Sequence, residues 1–189
     1  MMDEMEPGEY HILSVTRWKM FFDSIGIPST RYTDLRMSGF DLMLTGENGL
    51  MVRVVPAQNF DDLESYILMA SVMYDGTFAG DILLVGAHPF MVSRDNEPCI
   101  GSLCQDFGFD EDPTEDEGLS RFPTEQGFNA ADLIKCLYCR QLGIRSIDQS
   151  WRCSPCGHYD GDHFVGHIDN YYKNFYPIWE DICTNRGSK

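Results

Sequence analysis

Positive charge is what this sequence has least of. Lys and Arg number 14 against 30 Asp and Glu, for a formal net charge of −16. Phosphate binding depends on Lys and Arg displacing counterions, so such a surface repels nucleic acid at a distance. It is either a solvated acidic surface or one that binds basic partners or imitates DNA. No apolar run approaches the roughly 20 residues needed to cross a bilayer. The first residues, Met1-Met2-Asp3-Glu4-Met5-Glu6, lack the basic start of a signal or transit peptide, and a cytoplasmic protein is expected. The 7 cysteines are odd in number and not spread like a secreted disulfide framework. What is present suits a packed core: 43% hydrophobic and 13% aromatic residues in 189, enough for one domain and a small appendage.

The chain is organised around Gly39 to Pro56, where two apolar, β-branched runs flank Thr45-Gly46-Glu47-Asn48-Gly49 in the manner of a β-hairpin. With helical patterns on both sides, it is expected to form a central pair of strands. Before it, Ile12, Val15, Trp18, Phe21, Phe22 and Ile25 recur at helical spacing over Glu9 to Ile25, and Gly26 and Pro28 end the run. Residues 30–36 alternate like a first strand. Asn59 or Asp61 can cap a following helix carrying Leu63, Tyr66, Ile67, Ala70 and Tyr74 on one face. Asp81 to Gly86 is a short apolar run with the look of a strand buried on both faces. Phe90 to Ser93 adds a candidate edge strand, and a short helix is expected around Asn129 to Lys135.

From Asp106 to Glu117 come 7 acidic residues and no basic one, which marks a solvated linker. The expected division is therefore an α/β core over 9–104, an acidic linker over 105–127 and a cysteine-bearing module over 128–189. In the tail, Tyr171, Tyr172, Phe175, Tyr176 and Trp179 keep a helix-like spacing that Pro177 interrupts. They are expected to pack back on the core, a partner-docking segment being the alternative.

Cys136-Leu137-Tyr138-Cys139 and Cys153-Ser154-Pro155-Cys156, 13 residues apart, have the spacing of a four-thiolate zinc ribbon, in which each pair offers two sulfurs to one tetrahedral ion. Gly157 follows the second pair where a tight turn can aim backbone N–H groups at sulfur, while Arg140 makes the first less regular. A closed four-sulfur site leaves no position for water, so the zinc is expected to be structural. Cys99, Cys104 and Cys183 read as buried or idle thiols. His158, Asp160, Asp162 and His163 form a polar segment that is either a second metal site or a hydrogen-bonded turn. His11 and His167 carry no signal alone, and His88 beside Pro89 reads as a loop residue.

The string Arg17-Trp18, Phe21-Phe22-Asp23 and Gly26-Ile27 resembles the first helix of a small bacterial and phage group within the PD-(D/E)XK, restriction-endonuclease-like superfamily. There it reads Glu-Ala-Arg-Trp-Ala-x-Phe-Phe-Asp-x-Leu-Gly-Ile, followed by a hairpin with Pro-Asp-Phe-x-Leu and Trp-Val-Glu-Val-Lys-Pro, a helix and a Leu-Leu-Val-Gly strand. The resemblance spans residues 12–90. It implies a core of helix, three-stranded meander, helix and strand, with a small four-cysteine zinc ribbon after it. The family's chemistry needs an Asp and a Glu to hold a divalent metal and a Lys to position water. Carried over, the Asp falls on Asp41, the Glu on Arg53, the Lys on Val55 and the helix Glu on Val15. Only Asp41 keeps its chemistry. A guanidinium cannot ligate a cation and is expected to pair with Asp41 instead. No catalytic metal is expected, unless ligands have migrated to Asp61, Asp62 or Glu64.

The resemblance thus implies a catalytically inactive nuclease-like scaffold that acts by binding, as an accessory or regulatory subunit or an inhibitor of a nucleic-acid machine, with a protein partner and no membrane. A phage or mobile-element origin suits that group. The alternatives are a metal-dependent nuclease with displaced residues, and a zinc-ribbon module binding nucleic acid weakly through Lys135, Arg140, Arg145 and Arg152.

Overall fold

The computed structural model describes residues 7–32, 40–44, 50–59, 61–63, 65–66, 82–92, 97–104, 128–146, 153, 155–158, 165–167 and 171–184. Helix α1 runs Pro7–Ser24. Proline suits its first position, where an N–H has no helical partner anyway. Its end is a Schellman turn: Gly26 takes φ +82°, the Gly26 N–H donates to the Asp23 carbonyl, and the Ile27 N–H donates to Phe22 at 2.9 Å. Ile27 and Phe22 are both buried, which supplies the turn's apolar contact. The buried stripe of α1 is Val15, Trp18, Phe21 and Phe22, whereas Ile12, expected in it, is 58% exposed.

Strands β1 (Ser29–Arg31), β2 (Leu42–Leu44) and β3 (Leu50–Val54) form an antiparallel meander. Of the first strand expected over 30–36, residues 33–36 lie outside the described residues. Strand β4 (Ile82–Val85) pairs parallel to β3, with Val52 opposite Leu83. A parallel pair needs a crossover, and residues 61–63 and 65–66 of the helix expected there are helical. All four residues of β4 are buried, as its continuous apolar run implied.

Among the described residues, strands β5 (Phe90–Val92) and β6 (Glu97–Cys99) pair only with each other. The expected edge strand at Phe90 is therefore part of a separate two-stranded ribbon. Strand β7 (Gly101–Cys104) returns to the main sheet antiparallel to β4. Gly101 is placed there by close approach: a Cβ would stand 2.1 Å from the Leu84 carbonyl oxygen.

The short helix expected around Asn129 to Lys135 is instead β8, a nine-residue strand over Phe128–Cys136. Ala131 pairs with both Gly101 of β7 and Ser146 of β9 (Leu142–Ser146), and Lys135 with both Leu142 and Gly166 of β10 (Val165–His167). One edge of β8 thus carries β7 and then β10, while β9 lines the other. Ala, Leu and Lys favour helix, but two edges of ladder bonds and burial of both Leu133 and Ile134 outweigh a propensity of tenths of a kcal/mol per residue.

The segment 105–127, expected as a linker, lies outside the described residues, but the strands on either side of it are hydrogen-bonded neighbours. Leu133 and Ile144 share one apolar cluster with Val15, Trp18, Leu42, Val52 and Leu83. Strands from both 9–104 and 128–189 therefore lie in one eight-stranded sheet, and residues from both share one apolar cluster.

Helix α2 (Tyr171–Thr184) closes that core over α1. It continues through Pro177, giving up only the bond to the Lys173 carbonyl. Trp179 and Ile182 are buried, and the Trp179 ring lies 4.8 Å from Trp18 and 5.9 Å from Phe21. No helix among the described residues is long and apolar enough to cross a membrane. Truncating Trp179 empties this contact, so Trp179→Ala should lower stability by about 3–5 kcal/mol in a denaturant titration. A change within a few tenths of a kcal/mol would identify the tail as dispensable to the core.

Candidate functional site

Asp41 immediately precedes β2, where the ladder with β3 runs past the end of the shorter strand. Its own N–H donates to the Val52 carbonyl at 2.9 Å, and its carboxylate replaces the next missing carbonyl, accepting the Val54 N–H on Oδ2 at 2.8 Å. The same oxygen is 3.6 Å from an Arg53 guanidinium nitrogen, so the expected ion pair is present. The other oxygen accepts from His11 Nε2 at 2.8 Å. A carboxylate only accepts, so the bonded ring nitrogen carries the proton.

His11 is the member of this cluster that sequence reasoning missed. Its signal was available: His11, Val15, Trp18 and Phe22 follow the three–four spacing of a helix face, so His11 extends the sheet-facing stripe by one turn. Val15, where the resemblance puts a helix Glu, is buried in the core. Val55, in the place of the Lys, is buried against Ala57 and Leu63. Asp61 and Asp62 are exposed on the following helical turn. Asp62 is engaged locally, accepting from the Asn59 amide at 2.9 Å and the Gln58 N–H at 3.1 Å. Glu64 lies outside the described residues.

The second constellation is the cysteine centre. The sulfurs of Cys136, Cys139, Cys153 and Cys156 lie within 4.8 Å of one another, and among the described residues they are the one group of three or more His, Cys, Asp or Glu side chains close enough to hold a metal ion. The Cys136–Cys156 and Cys139–Cys153 sulfurs are 3.7 and 3.4 Å apart. Those gaps are too long for disulfides and close to the edge of about 3.8 Å of a sulfur tetrahedron around an ion at roughly 2.3 Å. The donor set therefore fits a tetrahedral, thiolate-preferring metal.

Two backbone loops of the same design hold these sulfurs. In the first, the Cys136 N–H donates to Gln141 at 2.8 Å and the Arg140 N–H to Cys136 at 2.9 Å. In the second, the Cys153 N–H donates to His158 at 2.7 Å and the Gly157 N–H to Cys153 at 2.7 Å. Each turn needs a left-handed residue just after its second cysteine. Gly157 supplies it at φ +72° and Arg140 at φ +66°, so the first knuckle, expected to be less regular, has the same geometry built with a strained residue.

Burial drives the Cys136 thiol up, but N–H donation from Cys139 and Tyr138 and the neighbouring sulfurs bring it down to about 7. Burial, and the sulfurs around it, push Cys153 up. Metal binding at such a centre displaces the remaining protons.

Of the second polar segment, His158 is described and belongs to the cysteine centre. Its Nδ1 is 3.3 Å from Cys156 Sγ and its ring stacks on Tyr138 at 4.0 Å. Asp160, Asp162 and His163 lie outside the described residues, as does Arg152. The remaining basic residues do not gather on one surface. Lys135 sits opposite Leu142 and Arg145 opposite Asp132, and because 132 and 135 are an odd number of residues apart, Lys135 and Arg145 leave the sheet on opposite faces. Arg140 is exposed at the knuckle.

No family model, no curated protein and no solved structure matches the chain.

Two outcomes follow from this geometry. Arg140→Gly removes left-handed strain, so the metal-loaded protein should resist a competing chelator better, by about 1 kcal/mol, while Gly157→Ala should weaken it by a similar amount. Asp41→Ala leaves the Val54 N–H and His11 Nε2 without their acceptor and Arg53 without its counter-charge, which should cost about 2–3 kcal/mol in chemical denaturation. Asp41→Asn, which keeps an acceptor oxygen, should cost markedly less.

Proposed function

We propose that this protein is a catalytically inactive, nuclease-like scaffold that acts by binding, as an accessory or regulatory subunit or an inhibitor of a nucleic-acid-handling machine. The observation that carries the reading is the state of Asp41. Its carboxylate is taken up by His11, Arg53 and the Val54 N–H. Arg53 and Val55 stand where the resemblance requires a metal-binding carboxylate and a lysine. A cation beside Asp41 opposes a divalent ion there, and a buried valine can neither orient water nor stabilise developing charge. Support for the nuclease-like ancestry is the order of elements: a helix, an antiparallel three-stranded meander and a parallel crossover, with Asp41 at the head of the second strand and Arg53 on the third.

The cysteine centre is read as a structural zinc site. All four positions around the ion are filled by thiolates, so zinc there holds the ends of β8 and the second knuckle together and offers no place for substrate. The surplus of acidic residues favours a protein partner with a basic surface over bare nucleic acid.

The deciding experiment is an endonuclease assay on single- and double-stranded DNA and on RNA with Mg²⁺ or Mn²⁺. The expected outcome is no cleavage above that of an Asp41→Asn control. Metal-dependent cutting that disappears in this variant would show an active enzyme and overturn the reading.

A further inference from the structure

We infer that Cys139 and Cys153 are a peroxide-oxidisable pair, which closes into a disulfide across the two knuckles and expels the metal. This rests on the reading of the four cysteines as a zinc centre and not on the nuclease likeness. The Cys139 and Cys153 sulfurs stand 3.4 Å apart, nearer than the 3.7 Å between those of Cys136 and Cys156. A disulfide bond of about 2.05 Å needs that gap to close by only about 1.4 Å. Oxidation of a thiolate follows its exposure, and a second cysteine within reach converts the first product to a disulfide. The two sulfurs divide these parts between them: of the four, Cys139 is the exposed one, and Cys153 is buried.

The other two sulfurs are less open to attack. Cys136 is buried and accepts the N–H groups of Cys139 and Tyr138. Cys156 is half-buried and accepts the His158 N–H. His158 Nδ1 also lies 3.3 Å from its sulfur, in a ring held by stacking on Tyr138 at 4.0 Å. A sulfur whose lone pairs are held by N–H groups is less basic, and so a weaker nucleophile. Hydrogen peroxide suits this centre as oxidant: it is small and neutral, so a formal charge of −16 does not repel it as it would an anionic disulfide. The Cys139 thiolate attacks one peroxide oxygen; the O–O bond breaks, a sulfenic acid forms and hydroxide leaves. The Cys153 thiolate then attacks the Cys139 sulfur; the S–S bond forms, the S–O bond breaks and a second hydroxide leaves. Two electrons have passed from sulfur to peroxide, and two protons from solvent turn the hydroxides into water. Cys136 and Cys156 then remain as the only thiolates, too few to hold a tetrahedral ion.

The test is stepwise addition of hydrogen peroxide to the intact, zinc-loaded protein, with free thiols alkylated at each step. Disulfide-linked peptides are mapped by mass spectrometry, and released zinc is followed with a chromogenic chelator. The expected first bond is Cys139–Cys153, with one zinc lost for each bond formed and both changes reversed by dithiothreitol and added zinc. In Cys153→Ser, dimedone should label Cys139, whose sulfenic acid has lost its resolving partner. A first bond within one knuckle or between Cys136 and Cys156 overturns the pair. So does first oxidation at Cys99, Cys104 or Cys183, or survival of all the thiols. A protein that takes up no zinc overturns the reading of the metal centre instead, and its peptide map after peroxide still decides the pair.

Discussion

The indole N–H of Trp18 donates to the carbonyl of Gly86 at 2.8 Å, across 68 positions of chain, and this bond sets the rotation of α1 over the sheet. Trp18 is fully buried, so an unpaired N–H there would cost of the order of 1–3 kcal/mol, and the helix has one rotation that avoids it. That rotation lays Val15 and Phe22 on the sheet and gives α2 its landing place, with Trp179 against Trp18. It also delivers His11, two helical turns back on the same stripe, to Asp41. The packing of the core and the chemistry of the candidate site therefore share one cause. A change that rotated α1 by a single residue would bury a charge, orphan an indole and dissolve the His11–Asp41 pair at once.

The second constraint lies in β8. Nine residues serve as partner to β7, β9 and β10, and the strand ends on Cys136, the first sulfur of the metal centre. The centre is therefore anchored in the main sheet and is not an appendage beyond it. The sheet is thus continuous across 105–127, where charge alone suggested a division. Composition reports which residues meet water. It does not report that strands on the two sides of an acidic segment pair with one another.

Legibility followed the range of the interactions involved. The α1 stripe, the meander and the doubly buried β4 were readable because periodicity and turn residues are local. So was the cysteine centre, since ligand spacing of two residues within each knuckle is a local rule. The β8 strand was not readable, because Ala130, Ala131, Leu133 and Lys135 carry helical propensity and the bonds that overrule it come from strands far along the chain, as far as His167 opposite Ile134. Arg140 was misjudged for a different reason: the sequence names a residue type, whereas φ +66° is imposed by the bonds of the loop that contains it. His11 escaped notice because a lone histidine on a helix face means nothing until its partner, thirty positions on, is known.

What Asp41 does in this fold bears on what it can do in chemistry. A carboxylate at the head of a short strand next to a longer one is already useful without any metal, because it accepts the ladder N–H that the shorter strand cannot reach. That structural duty does not depend on the side chains of Arg53, Val55 or Val15. A guanidinium beside the carboxylate balances its charge, so the pair offers little attraction to a cation. With His11 on one oxygen and the Val54 N–H and Arg53 at the other, both oxygens of Asp41 are engaged by groups of the protein itself, and the cluster is complete as a piece of the fold.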